Sequence, residues 1–213
     1  MMAKVNNSRS EATRIALMDA ALQIITESGV RSVTHRKVCS RAGTALGSVN
    51  YHFKDLDDLL SNAFSFYVEG VSGRYEASFS SARNDDQLID AVMDLIAALS
   101  SDKRNAILMW ELYAEGGRER TYRKLVRKWS KRAKVGVEAY CSANTATALE
   151  AVWDGAVMQR ILGDASLPDD ELRRVIAAII ELDTSRQYPS GPPAETDGDL
   201  GRVTARRKPS SRA

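Results

Sequence analysis

From Glu11 to Asp183 the apolar side chains recur at steps of three and four residues, and no strand-length stretch alternates apolar with polar residues. Such spacing gathers them on one face of a helix, so the chain can bury them only by stacking helices on one another. The predicted fold is all-α, with about nine helices. Ile15, Met18, Leu22 and Ile25 form the first stripe, which Gly29 stops. A second helix is expected from an N-cap at Thr34 to Ala42, before Gly43, and a third from about Leu46 to His52. Asp55 is placed to cap a long fourth helix striped by Leu56, Leu59, Leu60, Ala63, Phe64, Tyr67, Val71 and Tyr75, with Gly70 and Gly73 as expected bends. Further helices follow Asn84 and Asp102, the latter ended by Gly116-Gly117. The last three cover 118–142, 145–162 before Gly163, and 168–183 with Pro168 at its first helical position.

A chain of 213 residues suits one ordinary domain, or a small one joined to a larger. No apolar run reaches the roughly 20 residues of a membrane span, so no membrane partner is expected. The N-terminus lacks the apolar centre of a secretory signal, which makes the cytoplasm the expected compartment. Cys39 and Cys141 stand far apart, outside any metal-ligand spacing, so neither a disulfide scaffold nor a metal site is expected.

Net charge is +2, but its distribution is polar. Residues 1–54 carry eight Lys/Arg against three Asp/Glu, residues 55–183 sixteen against 22, and residues 184–213 six against three. A basic head on an acidic body points to a polyanion partner for the head alone. The segment from Thr184 holds four of the five prolines and few aliphatic side chains, so it is expected to be a disordered tail over 184–213. Its Arg202, Arg206, Arg207, Lys208 and Arg212 either solubilise that end or add nonspecific attraction to DNA.

The head contains two short helices joined by a tight turn, the pattern of a helix-turn-helix. Thr34-His35-Arg36-Lys37-Val38-Cys39-Ser40-Arg41-Ala42 leads through Gly43-Thr44-Ala45 into Leu46-Gly47-Ser48-Val49-Asn50-Tyr51-His52-Phe53. Val38 and Val49 suit the face turned to the preceding helix, and Ala42 lets the pair approach. Gly43 can take the left-handed conformation of the turn. Gly47 and Ser48 keep the start of the second helix thin enough for a major groove roughly 12 Å wide.

In wording and spacing this stretch resembles the TetR family of bacterial regulators. The likeness runs from about Thr13 to Leu60, through Ala20-Ala21-Leu22, Gly29-Val30-Arg31-Ser32-Val33-Thr34, Arg41-Ala42-Gly43, Leu46-Gly47-Ser48-Val49 and His52-Phe53-Lys54. Val33 to Phe53 is similar to the RcdA-type branch. The resemblance implies an N-terminal three-helix DNA-binding domain, here 1–54, and a C-terminal helical ligand-binding and dimerisation domain, here 55–183. It also implies that Arg36 contacts a base or phosphate, that Thr34 holds a phosphate, and that Thr44, Leu46, Gly47, Ser48 and Tyr51 face the groove. Lys54, His52 and the neighbouring His35 would lie along the DNA. The family usually has Tyr where this chain has Asn50 and Lys where it has Leu56, so backbone grip is weaker here or shifts onto Tyr51 and Lys54. Asn50 is also able to read adenine.

Other features have plainer readings. Lys37 and Arg41 read as solvated charge that steers toward DNA, and Cys39 as a small buried residue. The two histidines lack metal-ligand partners, no phosphate loop accompanies Gly116-Gly117, and no Ser/His/Asp set occurs in the body, so neither cofactor nor enzyme activity is expected. Nine Lys/Arg between Arg118 and Lys134 read as a solvated helix face, with a second DNA contact, an anionic ligand or a membrane surface as alternatives.

Phe64, Tyr67, Met93, Met109, Trp110, Tyr113 and Trp129 are candidates to line a site for an unidentified small-molecule effector, and each would equally serve as core. Glu111 is a further polar candidate. Trp153, Val157, Ile161, Val175, Ile176, Ile179 and Ile180 offer more apolar surface than one subunit covers and read as a dimer seam. The expected protein is a homodimeric regulator, repressing when bound to a palindromic double-stranded operator. The alternative, favoured by Asn50 and Leu56, is a helical ligand-binding or adaptor protein that has lost DNA recognition.

Overall fold

The computed structural model describes residues 2–163 and 166–188, with side chains throughout except 2–7 and 72–77. Among them are nine α-helices and no strand. They are α1 (Met2–Ser28), α2 (His35–Ala42), α3 (Ser48–His52), α4 (Leu56–Phe79), α5 (Asp85–Ser101), α6 (Lys103–Arg118), α7 (Arg120–Glu138), α8 (Ala143–Leu162) and α9 (Asp169–Glu181), with a 3-10 turn over Val30–Ser32. Gly73, Tyr75 and the basic residues expected in the tail lie outside the described side chains.

Helix starts follow side-chain chemistry. The Asn84, Asp102 and Ser142 side chains accept from the backbone N–H groups of Gln87, Asn105 and Thr145, and Asp55 Oδ1 accepts from Asp58 N at 2.8 Å. Each cap satisfies a donor that would otherwise lack a partner.

In the head, α1 packs on α2 and α4 through Leu17, Ala21, Leu22 and Ile25, all buried. Ile15, expected in that stripe, is 39% exposed. The seam runs along Leu17 and Ala21 instead, because those positions face the partner helices. In the body, α4 and α7 run side by side, with α5, α6, α8 and α9 around them. Phe64, Phe79, Trp129 and Trp153 are the largest side chains of this core.

Several expected boundaries shift. Helix α3 starts at Ser48, because Ala45 to Gly47 is spent on the turn that accepts Ser48 N at Ala45 O, 2.9 Å. Helix α7 covers Arg120–Glu138, α8 begins at Ala143, and Pro168 sits one position before α9 as its cap. Gly116 and Gly117 lie inside α6 rather than ending it.

Residues 184–188, expected in the tail, are held against the body. Tyr188 donates to Asp85 Oδ1 at 2.5 Å, Arg186 Nε donates to the same carboxylate at 3.1 Å, and Gln187 N donates to Tyr140 O at 2.7 Å. In sequence Arg186 and Tyr188 read as part of a polar tail, but the carboxylate at the start of α5 gives them a partner. Residues 189–213 lie outside the described residues.

Candidate nucleic-acid interface and effector cavity

Thr34 has extended backbone and its Oγ1 accepts from Lys37 N at 3.3 Å, fixing the start of α2 while its hydroxyl proton stays free to donate. At the other end Gly43 has φ 65° and ψ 34°, a left-handed geometry where a side chain would meet its own backbone. The chain thus reverses in three residues, and α3 crosses α2 with Val38, Val49 and Phe53 locked beneath it. The Arg14 guanidinium lies over the Phe53 ring, 5.4 Å from its centroid, and binds Asn62 Oδ1 at 2.6 Å, tying α1 to α4.

With this underside fixed, the opposite face is open. Tyr51 is 78% exposed and Leu46 61%, and Arg36, Gly47, Asn50 and Lys54 are exposed beside them. Ser48 is half-buried at the first position of α3, and half-buried His52 meets the Tyr51 ring edge-on at 4.9 Å. Lys54 donates its backbone N–H to Asp58 Oδ2 at 3.0 Å, leaving its ammonium outward.

Two candidates depart from this face. The Thr44 hydroxyl oxygen is enclosed with no hydrogen-bond partner, because Thr44 N closes the turn on Cys39 O at 3.0 Å and swings the side chain inward. His35 Nε2 is enclosed as well, so that nitrogen does not reach outward. The steering charges are also engaged. Lys37 Nζ donates to Ser32 O at 2.9 Å, and Arg41 pairs with Glu27 in two bonds of 2.7 and 2.6 Å. That fork holds the Glu27 carboxyl below its ordinary range and the guanidinium above its own.

In the body, α4, α6, α7 and α8 enclose a cavity of about 40 Å³ lined by Tyr67, Met109, Trp110, Tyr113 and Trp129. Phe64 and Met93, expected there, are elsewhere. Phe64 is wholly buried with its ring against Tyr122 at 5.8 Å, and Met93 packs on the core from α5. Helix geometry turns those two positions away from the space between α6 and α8.

The Tyr67 and Tyr113 hydroxyls supply polar groups as expected, but Glu111 lies outside the cavity, turned to Val30, and the rest of the polar wall was missed. Asp154, Asn105 and Val157 also line the cavity, although the spacing of Val157 had suggested the dimer seam. The Tyr113 hydroxyl donates to Asp154 Oδ2 at 2.8 Å, and the Tyr67 hydroxyl donates to Asn105 O at 2.9 Å. Burial first, then the nearby Glu150, pushes the Asp154 carboxyl up to about 6, against the opposing hydrogen bonds. Glu150 pairs through Oε2 with Lys134 at 3.1 Å, while its Oε1 is enclosed without a partner. The one signal for Asp154 in sequence was its place on α8 between Trp153 and Val157, where an acid reads as a solvated flank.

The seam residues fare unevenly. Trp153, Val157, Ile176 and Ile180 are buried within one subunit, Ile161 and Ile179 partly so. The large apolar side chains left open on these helices are Met158, Leu162 and Val175, with Leu182 just past the end of α9. Ile176 and Ile180 join Trp153 in the core of one subunit, Val157 turns to the cavity, and Val175 stays exposed.

Comparison with known proteins agrees with both halves of this layout. Residues 17–63 match the model for bacterial regulatory proteins of the tetR family, and residues 83–182 the model for the tetracyclin repressor-like C-terminal domain. A candidate transcriptional regulator of Streptomyces coelicolor A3(2), SCO7518, superimposes with a TM-score of 0.74 at 32% identity over 79% of this chain and 98% of its own. The multidrug binding protein EbrR in complex with ethidium gives 0.65 at 29% identity, over 78% and 97%. Among curated proteins, the regulator AcrR of Shigella flexneri is 24% identical over 51% of each chain. SrpR of Pseudomonas putida is 23% identical over 54% of each, so the chain spans about half the length of these curated relatives.

Proposed function

Because the chain belongs to the TetR family of bacterial regulators, we propose that it is a cytoplasmic, homodimeric transcriptional repressor that binds a palindromic operator and leaves it when a cationic aromatic effector enters the body. The observation that carries the DNA half is the open face of the helix-turn-helix. Arg36, Leu46, Gly47, Asn50 and Tyr51 stand outward over a buried scaffold of Val38, Val49 and Phe53. Leu46 suits a thymine methyl, Arg36 and Lys54 suit phosphates, and Asn50 and Tyr51 supply hydrogen bonds to base edges or backbone.

Effector class follows from the cavity. Aromatic walls with one half-buried carboxylate favour a flat cation, since the carboxylate gains an ion pair in a site that otherwise penalises its charge. EbrR, at 29% identity, has been crystallised with ethidium, and with malachite green at the same identity. A space of about 40 Å³ holds little more than one water, so such a ligand must push α6 outward.

That helix is tied on both sides. Tyr67 and Tyr113 bind it to α4 and α8, while Arg104 pairs with Asp19 at 3.0 Å and Glu111 accepts from Val30 N at 3.4 Å, reaching the head. Displacing α6 therefore moves the head, and with it the spacing of two recognition helices that must meet grooves about 34 Å apart.

A duplex selected from a random pool by the full-length protein tests this reading. Tyr51→Ala and Arg36→Ala are each expected to weaken binding by about tenfold or more, the size of one good base contact. Ethidium at saturating concentration is expected to release the duplex from wild type but not from Asp154→Asn. Unchanged affinity in both head variants would overturn the DNA reading, and equal release of Asp154→Asn the effector reading.

A further inference from the structure

The outer face of α7 serves neither the helix-turn-helix nor the cavity. Arg120, Lys124, Arg127 and Lys131 follow one another at steps of three and four and are all exposed, so they form one stripe. Nearby, Arg118, Lys128 and Lys134 are paired with Glu115, Glu69 and Glu150. The four stripe residues have no ion-pair partner among the described residues. Like charges one turn apart repel, so a helix gains nothing from this arrangement by itself.

Arg123 adds a fixed element. Its Nε donates to Gly116 O at 3.0 Å and a terminal nitrogen to Gly117 O at 3.1 Å. Arg120, Arg123, Lys124 and Arg127 together wall a surface pocket of about 260 Å³. Four cations around one concavity, one of them already held, suit an oxyanion such as a phosphate.

The position of the stripe identifies the source of that anion. Tyr122, between Arg120 and Lys124 in sequence, packs on Phe64 of α4. Burial, followed by the charges of Asp57, Glu115, Glu119 and Asp55, pushes its phenol up to about 12. The start of α7 therefore sits beside the start of α4, directly after Lys54 of the head. Of those acids, Asp55 caps α4 and Glu115 binds Arg118, and none of the four is paired with Lys124 or Arg127. Further along, Lys128 pairs with Glu69, so α7 runs beside α4 away from the head, and the end nearest the head, Arg120 to Arg127, covers about 10 Å at the helical rise, room for more than one phosphate of a duplex.

We propose that the basic stripe of α7 is an accessory contact for backbone phosphates of DNA flanking the site that the head reads. The contact rests on the DNA-binding reading above, and it adds affinity and salt dependence without sequence preference. A free phosphate compound or an acidic protein would also meet the charge, and the experiment separates these from DNA.

Two duplexes carry the selected site, one trimmed to its core and one extended by about one helical turn on each side. Binding is measured against salt concentration for wild type, Lys124→Gln/Arg127→Gln, and Lys124→Arg/Arg127→Lys. On the extended duplex the Gln variant is expected to bind about tenfold more weakly at low salt, with a salt slope shallower by about 0.9 for each phosphate no longer neutralised. The charge-preserving variant should restore both, and all three proteins should match on the trimmed core. Both residues are exposed, so an unchanged thermal midpoint checks that folding is intact. Equal slopes on the extended duplex, with normal core binding, would overturn this proposal alone and leave the stripe to another anion. Failure of wild type to bind either duplex would overturn the DNA-binding reading together with it.

Discussion

Asp154 is where a single side chain sets a measurable property. Burial raises its carboxyl to about 6, whereas an unfolded chain leaves it near the ordinary 3.8. Between those values the folded state binds more protons than the unfolded one, so stability falls as pH rises through the window. The penalty is complete above about pH 6 and amounts to about 2–3 kcal/mol, at 1.36 kcal/mol per pH unit. Thermal melts of wild type are expected to lose several degrees between pH 4.5 and 7, which cover the upper part of this window, and Asp154→Asn is expected to flatten that change. If the proposed effector pairs with Asp154, the same ionisation has the opposite effect on its affinity, so a cationic dye should bind more tightly as pH rises through about 6. An affinity independent of pH would show that Asp154 is not its counter-ion. None of this was legible in the chain, because an acid's ionisation depends on what surrounds it and Asp154 gains its surroundings from α6 and α7.

At the scale of one element, α6 shows how a residue type misleads and then explains. Gly116-Gly117 looks like a stop in sequence, yet the helix continues through both. A Cβ at Gly116 would lie 2.8 Å from Val126 Cγ2 and 3.6 Å from the Arg123 backbone, so the glycine is there to let α6 and α7 meet. Gly116→Ala gains helix propensity of about 1 kcal/mol but overpacks a stiff β-branched neighbour, for a net loss of about 1–2 kcal/mol. Adding Val126→Ala should recover part of that loss in denaturant unfolding. Additive losses in the double variant would sink the close-approach account. Most other element ends were legible, because Thr34, Gly43, Asp55, Asn84, Asp102 and Gly163 act on backbone groups within three or four residues of themselves, whereas the Ser142 cap of α8 was read as the end of the preceding helix.

Over the whole molecule, two surfaces and one linkage decide behaviour. Met158 and Leu162 on α8 and Val175 on α9 remain open after the monomer has closed its core, and they are the surface on which a two-fold mate would sit. Met158→Glu/Val175→Glu is expected to give a monomer in light scattering, with helical content unchanged and operator affinity reduced by at least a hundredfold through absence of the second head. A dimer that survives this change would place the mate elsewhere. The link between cavity and head runs through α6, whose Glu111 and Arg104 hold the head while Tyr113 and Asn105 hold the cavity. Glu111→Gln should therefore weaken ethidium-driven release more than ethidium binding itself.

The order of residues by itself determined what depends on near neighbours: the succession of helices, their caps, and the two-helix reader with its αL glycine, since helix period and capping act over a turn or two. It also showed the polarity between basic head and acidic body. Only the tertiary structure decided which apolar residues face a cavity rather than the core, which acid stands among aromatics, which α8 and α9 side chains stay exposed, and that Tyr188 and Arg186 fasten onto Asp85 across more than a hundred residues. Those outcomes turn on how one helix is rotated against another, a quantity that packing fixes and local spacing does not.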